Sequence, residues 1–140
     1  MTALADLIAR VEKAEGPDRE IDAAICLALE SDRFGQWRAA RPKGLMLSIE
    51  DDLARFASKR GHLTASLDAA VALVERRLPE LWEWSVRCYG KPPQYCAYVD
   101  APAGGKKFWH FDTYIANAAA PALAIILALL RVMQAQEQTK

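Results

Sequence analysis

Histidine and cysteine are scarce in this 140-residue chain, which has two of the first and three of the second. Cys26, Cys88 and Cys96 form no C-x-x-C pair. Their odd number and wide spacing fit neither a secreted disulfide framework nor a zinc site, so reduced thiols are expected. An excess of one charge is also lacking. Lysine plus arginine and aspartate plus glutamate each total 18. That balance argues against general nucleic-acid binding, which needs a basic surplus to release counterions. No secretory leader pattern opens the chain, because Asp6, Arg10 and Glu12 break the first apolar run. Residues 103–107 (Ala-Gly-Gly-Lys-Lys) lack the spacing of a phosphate-binding P-loop and predict a hairpin loop. Thr113 to Leu130 carries no charge and approaches the length of a membrane span. Asn117 and Pro121 interrupt it, which predicts a strand end, a loop and a buried helix, with no membrane association.

What is present reads as a globular α+β chain. Its length suits one domain and allows about two thirds of the unfolded surface to be buried. A helical N-terminal part is expected over 3–60, followed by a helix–meander–helix core over 64–137. Leu4, Leu7, Ile8 and Val11 recur at helical spacing and predict a helix over 3–15. Gly16 and Pro17 stop it and open a second helix to about Ser31, with Ile21, Ala24, Ile25 and Ala28 inward. The pair predicts an αα-hairpin. Residues 32–47 show no period. Phe34 and Trp37 are expected to anchor them, and Arg38, Arg41 and Lys43 make them basic. A solvated loop is expected there, with phosphate contact as the alternative. Ser48-Ile49-Glu50-Asp51 resembles a capping box. It predicts a helix to Lys59 that buries Ile49, Leu53 and Phe56 and ends at Gly61. Ser66 caps a stronger helix through Leu78, closed by Pro79, with Arg76 and Arg77 suited to its C-terminal dipole.

The period then changes from 3.6 to 2. Trp82, Trp84, Val86 and Cys88 alternate with Glu83, Ser85 and Arg87, which is the pattern of a half-buried strand. A turn at 90–93, a strand over 94–100, a loop, a strand over 107–115 and an apolar helix from Pro121 to about Gln136 complete the chain. The expected sheet is an antiparallel meander of three strands, open to a fourth. Pairing Tyr89 with Gln94 puts Trp84 opposite Val99, Val86 opposite Ala97 and Cys88 opposite Tyr95, with the apolar residues on one side. It also separates Cys88 from Cys96, so no disulfide joins them. Pairing Ala97 with Phe111 adds Trp109 and Ile115 to the dry face. The opposite face would then collect Arg87, Cys96, Tyr98, His110, Asp112 and Tyr114.

That second face is the candidate binding surface. Its rings can stack on a polar aromatic ligand, Arg87 can meet an anion, and Asp112 or His110 can orient hydrogen bonds. A Cys96–His110–Asp112 nucleophile is imaginable there, but no local motif or oxyanion hole supports it. His110 with Asp112 is too small a set for a metal. No catalytic residue, cofactor or metal is expected.

Several stretches resemble a family of small phage and prophage proteins that carry a phage ABA sandwich domain. They are Ala14 to Leu29 (AEGPDREIDAAICLAL), Leu63 to Pro79 (LTASLDAAVALVERRLP), Trp82-x-Trp84-Ser85-Val86, and Ala120 to Arg131 (APALAIILALLR). The resemblance implies a compact arrangement with helices on both sides of the sheet and supplies no catalytic residue. With the neutral charge and four tryptophans, it leads to an expected non-enzymatic phage accessory protein in the host cytoplasm. Such a protein would be a homo-oligomer that blocks or sequesters a host factor. A protein that sequesters a small nucleotide signal and a minor virion structural or assembly protein are the alternatives.

Overall fold

A computed structural model describes residues 3–40, 48–78, 83–90, 94–102 and 111–138. Among them are six helices, α1 (Ala3–Lys13), α2 (Arg19–Leu29), α3 (Ser31–Ala39), α4 (Ile49–Lys59), α5 (Leu67–Arg77) and α6 (Pro121–Gln138). Three strands, β1 (Glu83–Tyr89), β2 (Gln94–Pro102) and β3 (Phe111–Ala118), form an antiparallel meander in the order β1-β2-β3. The fold is therefore α+β. Trp82, Trp109, His110, Arg41, Lys43, Pro79 and the loop at 103–107 lie outside the described residues.

Local chemistry sets the helix starts. The Asp18 carboxylate accepts from the Glu20 and Ile21 amides, so α2 begins at Arg19 and Pro17 precedes the cap. Ser48 accepts from Asp51 N–H, and Ser66 from Ala69 N–H, each satisfying an amide that the helix itself leaves open. After α4 the chain turns through Gly61 at φ +97°, where an added Cβ would meet the Ala69 methyl at 3.0 Å.

The charge-free segment near the C-terminus becomes the centre of the core. No residue from 122 to 130 is more than 2% exposed. A helix that is apolar all round must be covered all round. The sheet covers α6 on one side, and α1 and α5 pack against it away from the strands. Beyond them, α2 packs on α4, with α3 bridging the two. No helix among the described residues is long and apolar enough to cross a membrane.

The β1–β2 register matches the expected one throughout, from Glu83 opposite Asp100 to Tyr89 opposite Gln94. Ala97 and Val99 are fully buried under α6, with Trp84 and Val86 half-buried beside them. The third strand departs from expectation. It runs over 111–118, and Ala97 faces Ala116 where Phe111 was expected. The displacement is five residues, an odd number, so every position in β3 changes face. The physical reason is packing. Small residues at 97 and 116 leave room for the leucines and isoleucines of α6. β2 reaches Pro102 and β3 begins at Phe111, each later in the chain than the expected 100 and 107.

Three further expectations are corrected. Residues 31–39 are helical, although only Phe34 among them is buried. Ile49 is 54% exposed, because the first residue of α4 stands at the rim of the helix pair. Ala28 is exposed, and the buried face of α2 instead includes Asp22, Cys26 and Leu29. The sandwich with helices on both sheet faces is not seen either, because α6 is the one described helix that packs on the sheet.

Truncating Leu129, which is fully buried, should cost about 2–5 kcal/mol in urea unfolding, as large-to-small core changes do. Ile49→Ala should change stability by less than about 0.5 kcal/mol.

Candidate functional site

The register divides the residues nominated from sequence. Arg87 pairs with Cys96, and Tyr98 follows Cys96 by two, so these three share the sheet face away from α6. Asp112 stands opposite Ala101 and Tyr114 opposite Val99, which are register positions of the α6 face. The six residues therefore do not form one cluster, and His110 lies outside the described residues. What shares the face with Arg87 is a different set. Tyr89 Oη donates to Asn117 Oδ1 at 2.9 Å. Cys96 is only 7% exposed. Its hydrogen bond to the neighbouring Tyr98 phenol, and then its charge, push that phenol's pKa up, while Arg87 pulls it down. Cys26, Cys88 and Cys96 are all free thiols.

The helical side holds a polar constellation that the sequence did not announce. Glu30 ends α2 and begins α3, and it is 4% exposed. Arg76, from the last turn of α5, donates through Nη2 to its Oε1 at 2.9 Å. Arg60, the C-cap of α4, places Nε 3.3 Å from the same oxygen, and Arg33 of α3 places Nε 3.7 Å from Oε2. Three cations thus surround one carboxylate. The Nε atoms of Arg60 and Arg76 are buried and make no hydrogen bond; the Arg60 approach is an ion pair without hydrogen-bond alignment. Two more buried acids tie the same helices together. Asp52 receives Arg38 Nε at 2.9 Å. Asp22 accepts from Thr64 N–H at 2.8 Å, and the Thr64 hydroxyl is itself bonded to the backbone of Asp18.

Next to this cluster lies an aromatic group. Trp37 stacks on Phe34 with centroids 6.2 Å apart, and both rings contact Phe56. Lys59 Nζ sits 5.5 Å from the Trp37 ring centroid and the Arg60 guanidinium 4.8 Å from that of Phe56, both within cation–π range. Three clefts run along this side. One, of about 570 Å³, is lined by Trp37, Ala54, Arg55, Ser58 and Lys59. A second, of about 450 Å³, lies between Gln36, Trp37, Phe56, Lys59, Arg33 and Arg60. A third, of about 270 Å³, is lined by Ala28, Leu29, Glu30, Ser31, Asp32, Arg33, Arg76 and Arg77. Trp37 and Lys59 are common to the first two, and Arg33 to the last two. The walls carry six cations, Arg33, Arg55, Lys59, Arg60, Arg76 and Arg77, against two carboxylates, Glu30 and Asp32. This arrangement is suited to holding an anion beside an aromatic ring.

The sequence held a faint signal. Asp22, Cys26 and Glu30 recur every four residues on α2, a polar line within its buried face. Acids on an inward line need cationic or amide partners. Which arginines answer them depends on contacts up to 46 residues apart.

No family model matches the chain, and neither a curated protein nor a solved structure does.

Cys26 lies inside the acidic line. Burial above all, then Glu30 and Asp22, push its thiol from an ordinary 9.0 up to about 12, with Arg60 and Arg76 opposing. A raised thiol pKa means the folded state keeps a proton that the unfolded state loses. Stability therefore falls as pH rises from about 9 toward about 12. Urea unfolding at alkaline pH should show the wild-type protein losing stability more steeply than Cys26→Ala, by about 1.4 kcal/mol per pH unit. At neutral pH exposed Cys88 should react with a thiol reagent while Cys26 does not.

Proposed function

We propose that this protein acts by binding rather than by catalysis, and that it captures a small phosphate-bearing molecule with an aromatic ring, of the nucleotide class. The observation that carries this reading is the half-buried Trp37 ring with four cations, Arg33, Arg55, Lys59 and Arg60, lining the two clefts beside it. Arginine forks hold phosphate oxygens in pairs, and an indole face accepts a base by stacking. The two clefts flanking Trp37 each have the volume typical of small-molecule sites. The zero net charge of the chain fits a compact anion better than a long polyanion, because the positive field is local to α3, α4 and the end of α5.

The resemblance to phage and prophage proteins supplies a setting for this activity. An accessory protein of that kind would withdraw a signalling nucleotide, or another host factor, from the host cytoplasm. The site for it is the α3–α4 groove. The sheet face is the weaker candidate, because Asp112 and Tyr114 hold register positions on its other side.

A thermal-shift panel of nucleoside phosphates, cyclic dinucleotides, nucleosides and inorganic phosphate tests the reading. One or more phosphorylated nucleotides should raise the melting temperature, by the equivalent of about 2.7 kcal/mol at a hundredfold excess over Kd. Nucleosides without phosphate should have no effect. Lys59→Glu and Arg55→Glu should abolish the shift, and Trp37→Ala should reduce the preference for nucleotide over inorganic phosphate. If no phosphorylated nucleotide at millimolar concentration shifts the melt, the reading fails.

A further inference from the structure

The sheet ends in β1, and no described strand pairs with its outer edge. A free edge is a template for another strand, and folded proteins either block such an edge or use it. β1 contains a like-charge conflict. Glu83 stands directly opposite Asp100 across the β1–β2 ladder, an arrangement that disfavours pairing at that end. Glu83 and Arg87 are both exposed, and neither makes an ion pair among the described residues. Trp84 and Val86 pack against the core yet stay partly exposed.

We infer that two copies of this chain join edge to edge through β1, antiparallel, about a two-fold axis at Ser85. A two-fold interface must be self-complementary, so each contact occurs twice. Centred on Ser85, Glu83 of one copy faces Arg87 of the partner subunit, and Arg87 faces Glu83 of the partner subunit. On the other face of the sheet, Trp84 meets Val86 of the partner subunit and Val86 meets Trp84 of the partner subunit. These are an opposite-charge pair and an aromatic–β-branched pair, both favourable across strands. The neighbouring registers lose the match. Centring on Trp84 sets Glu83 against Ser85, and centring on Val86 sets it against Tyr89. The partner's Arg87 also supplies the positive charge that the Glu83–Asp100 end of the ladder lacks. Zero net charge leaves no long-range repulsion to keep the copies apart. The product is a continuous six-stranded sheet, within the common range of sheet sizes, with both α6 helices on one side.

Sedimentation velocity of the full chain over a range of concentrations tests this. The wild-type protein should be a dimer that dissociates on dilution. Glu83→Arg and Arg87→Glu should each be monomeric, because each sets like charges opposite one another. Mixing the two variants should restore dimers, since Arg at 83 then faces Glu at 87 and the native pair remains at the other contact. The double variant should dimerise by itself. Melting curves of the single variants that match the wild type's would establish that they fold. A wild-type monomer at every concentration overturns the proposal. So do single variants that dimerise like the wild type, and so does a mixture of folded variants that stays monomeric.

Discussion

Glu30 is the constraint on which the helical half of this protein depends. A carboxylate removed from water is costly unless its charge is answered closely and its oxygens are hydrogen-bonded. Glu30 sits where α2 gives way to α3, and the side chains that answer it arrive from α3, from the end of α4 and from the end of α5. One buried group thus fixes the meeting of four helices. It draws in more positive charge than it can neutralise, and two of those cations, Arg33 and Arg60, also line the cleft beside Trp37. The structural device and the candidate binding site are two consequences of the same arrangement.

The two halves of the molecule are held by different physics. Around α6 the packing is apolar, and each fully buried leucine or isoleucine there is worth about 1.5–3 kcal/mol of transfer free energy. Among α2, α3, α4 and the 60–66 connection, buried carboxylates bonded to arginine or to a backbone amide set the geometry. Apolar contacts are tolerant of direction, whereas charged hydrogen bonds are not. A site that must present arginines in fixed positions is therefore better built on the polar side. The aromatic trio of Phe34, Trp37 and Phe56 joins the two, burying Phe34 and Phe56 and leaving part of Trp37 in the cleft.

Much of the fold was legible because its signals were local. Apolar residues at helical spacing, together with Ser48 and Ser66 as caps, locate α1, α2, α4 and α5, although α2 starts at Arg19 after the Asp18 cap and not at Pro17. Strict alternation and a four-residue connection fix the β1–β2 register. The α3 helix was hidden because it buries one side chain, too few to produce a period. The β3 register was hidden because Ala116 and Ala118 carry little hydrophobic contrast, while the aromatic residues before them favoured the opposite parity. That single parity error moved the candidate site. The sheet surface assembled from sequence loses Asp112 and Tyr114, whereas the cleft beside Trp37 draws on residues from Glu30 to Arg77. Arg38 and its neighbours looked like a basic loop. The partner of Arg38 became visible only when Asp52 was placed in space.

One buried carboxylate holds three arginines, and the urea unfolding midpoint of Glu30→Gln measures that directly. Glutamine keeps the shape and removes the charge, leaving the guanidinium groups to repel one another. The expected result is a loss of about 3 kcal/mol, at the low end for breaking a buried ion pair because the arginines keep partial contact with water. An unchanged midpoint would show that the helices meet without the charge cluster and would contradict the account.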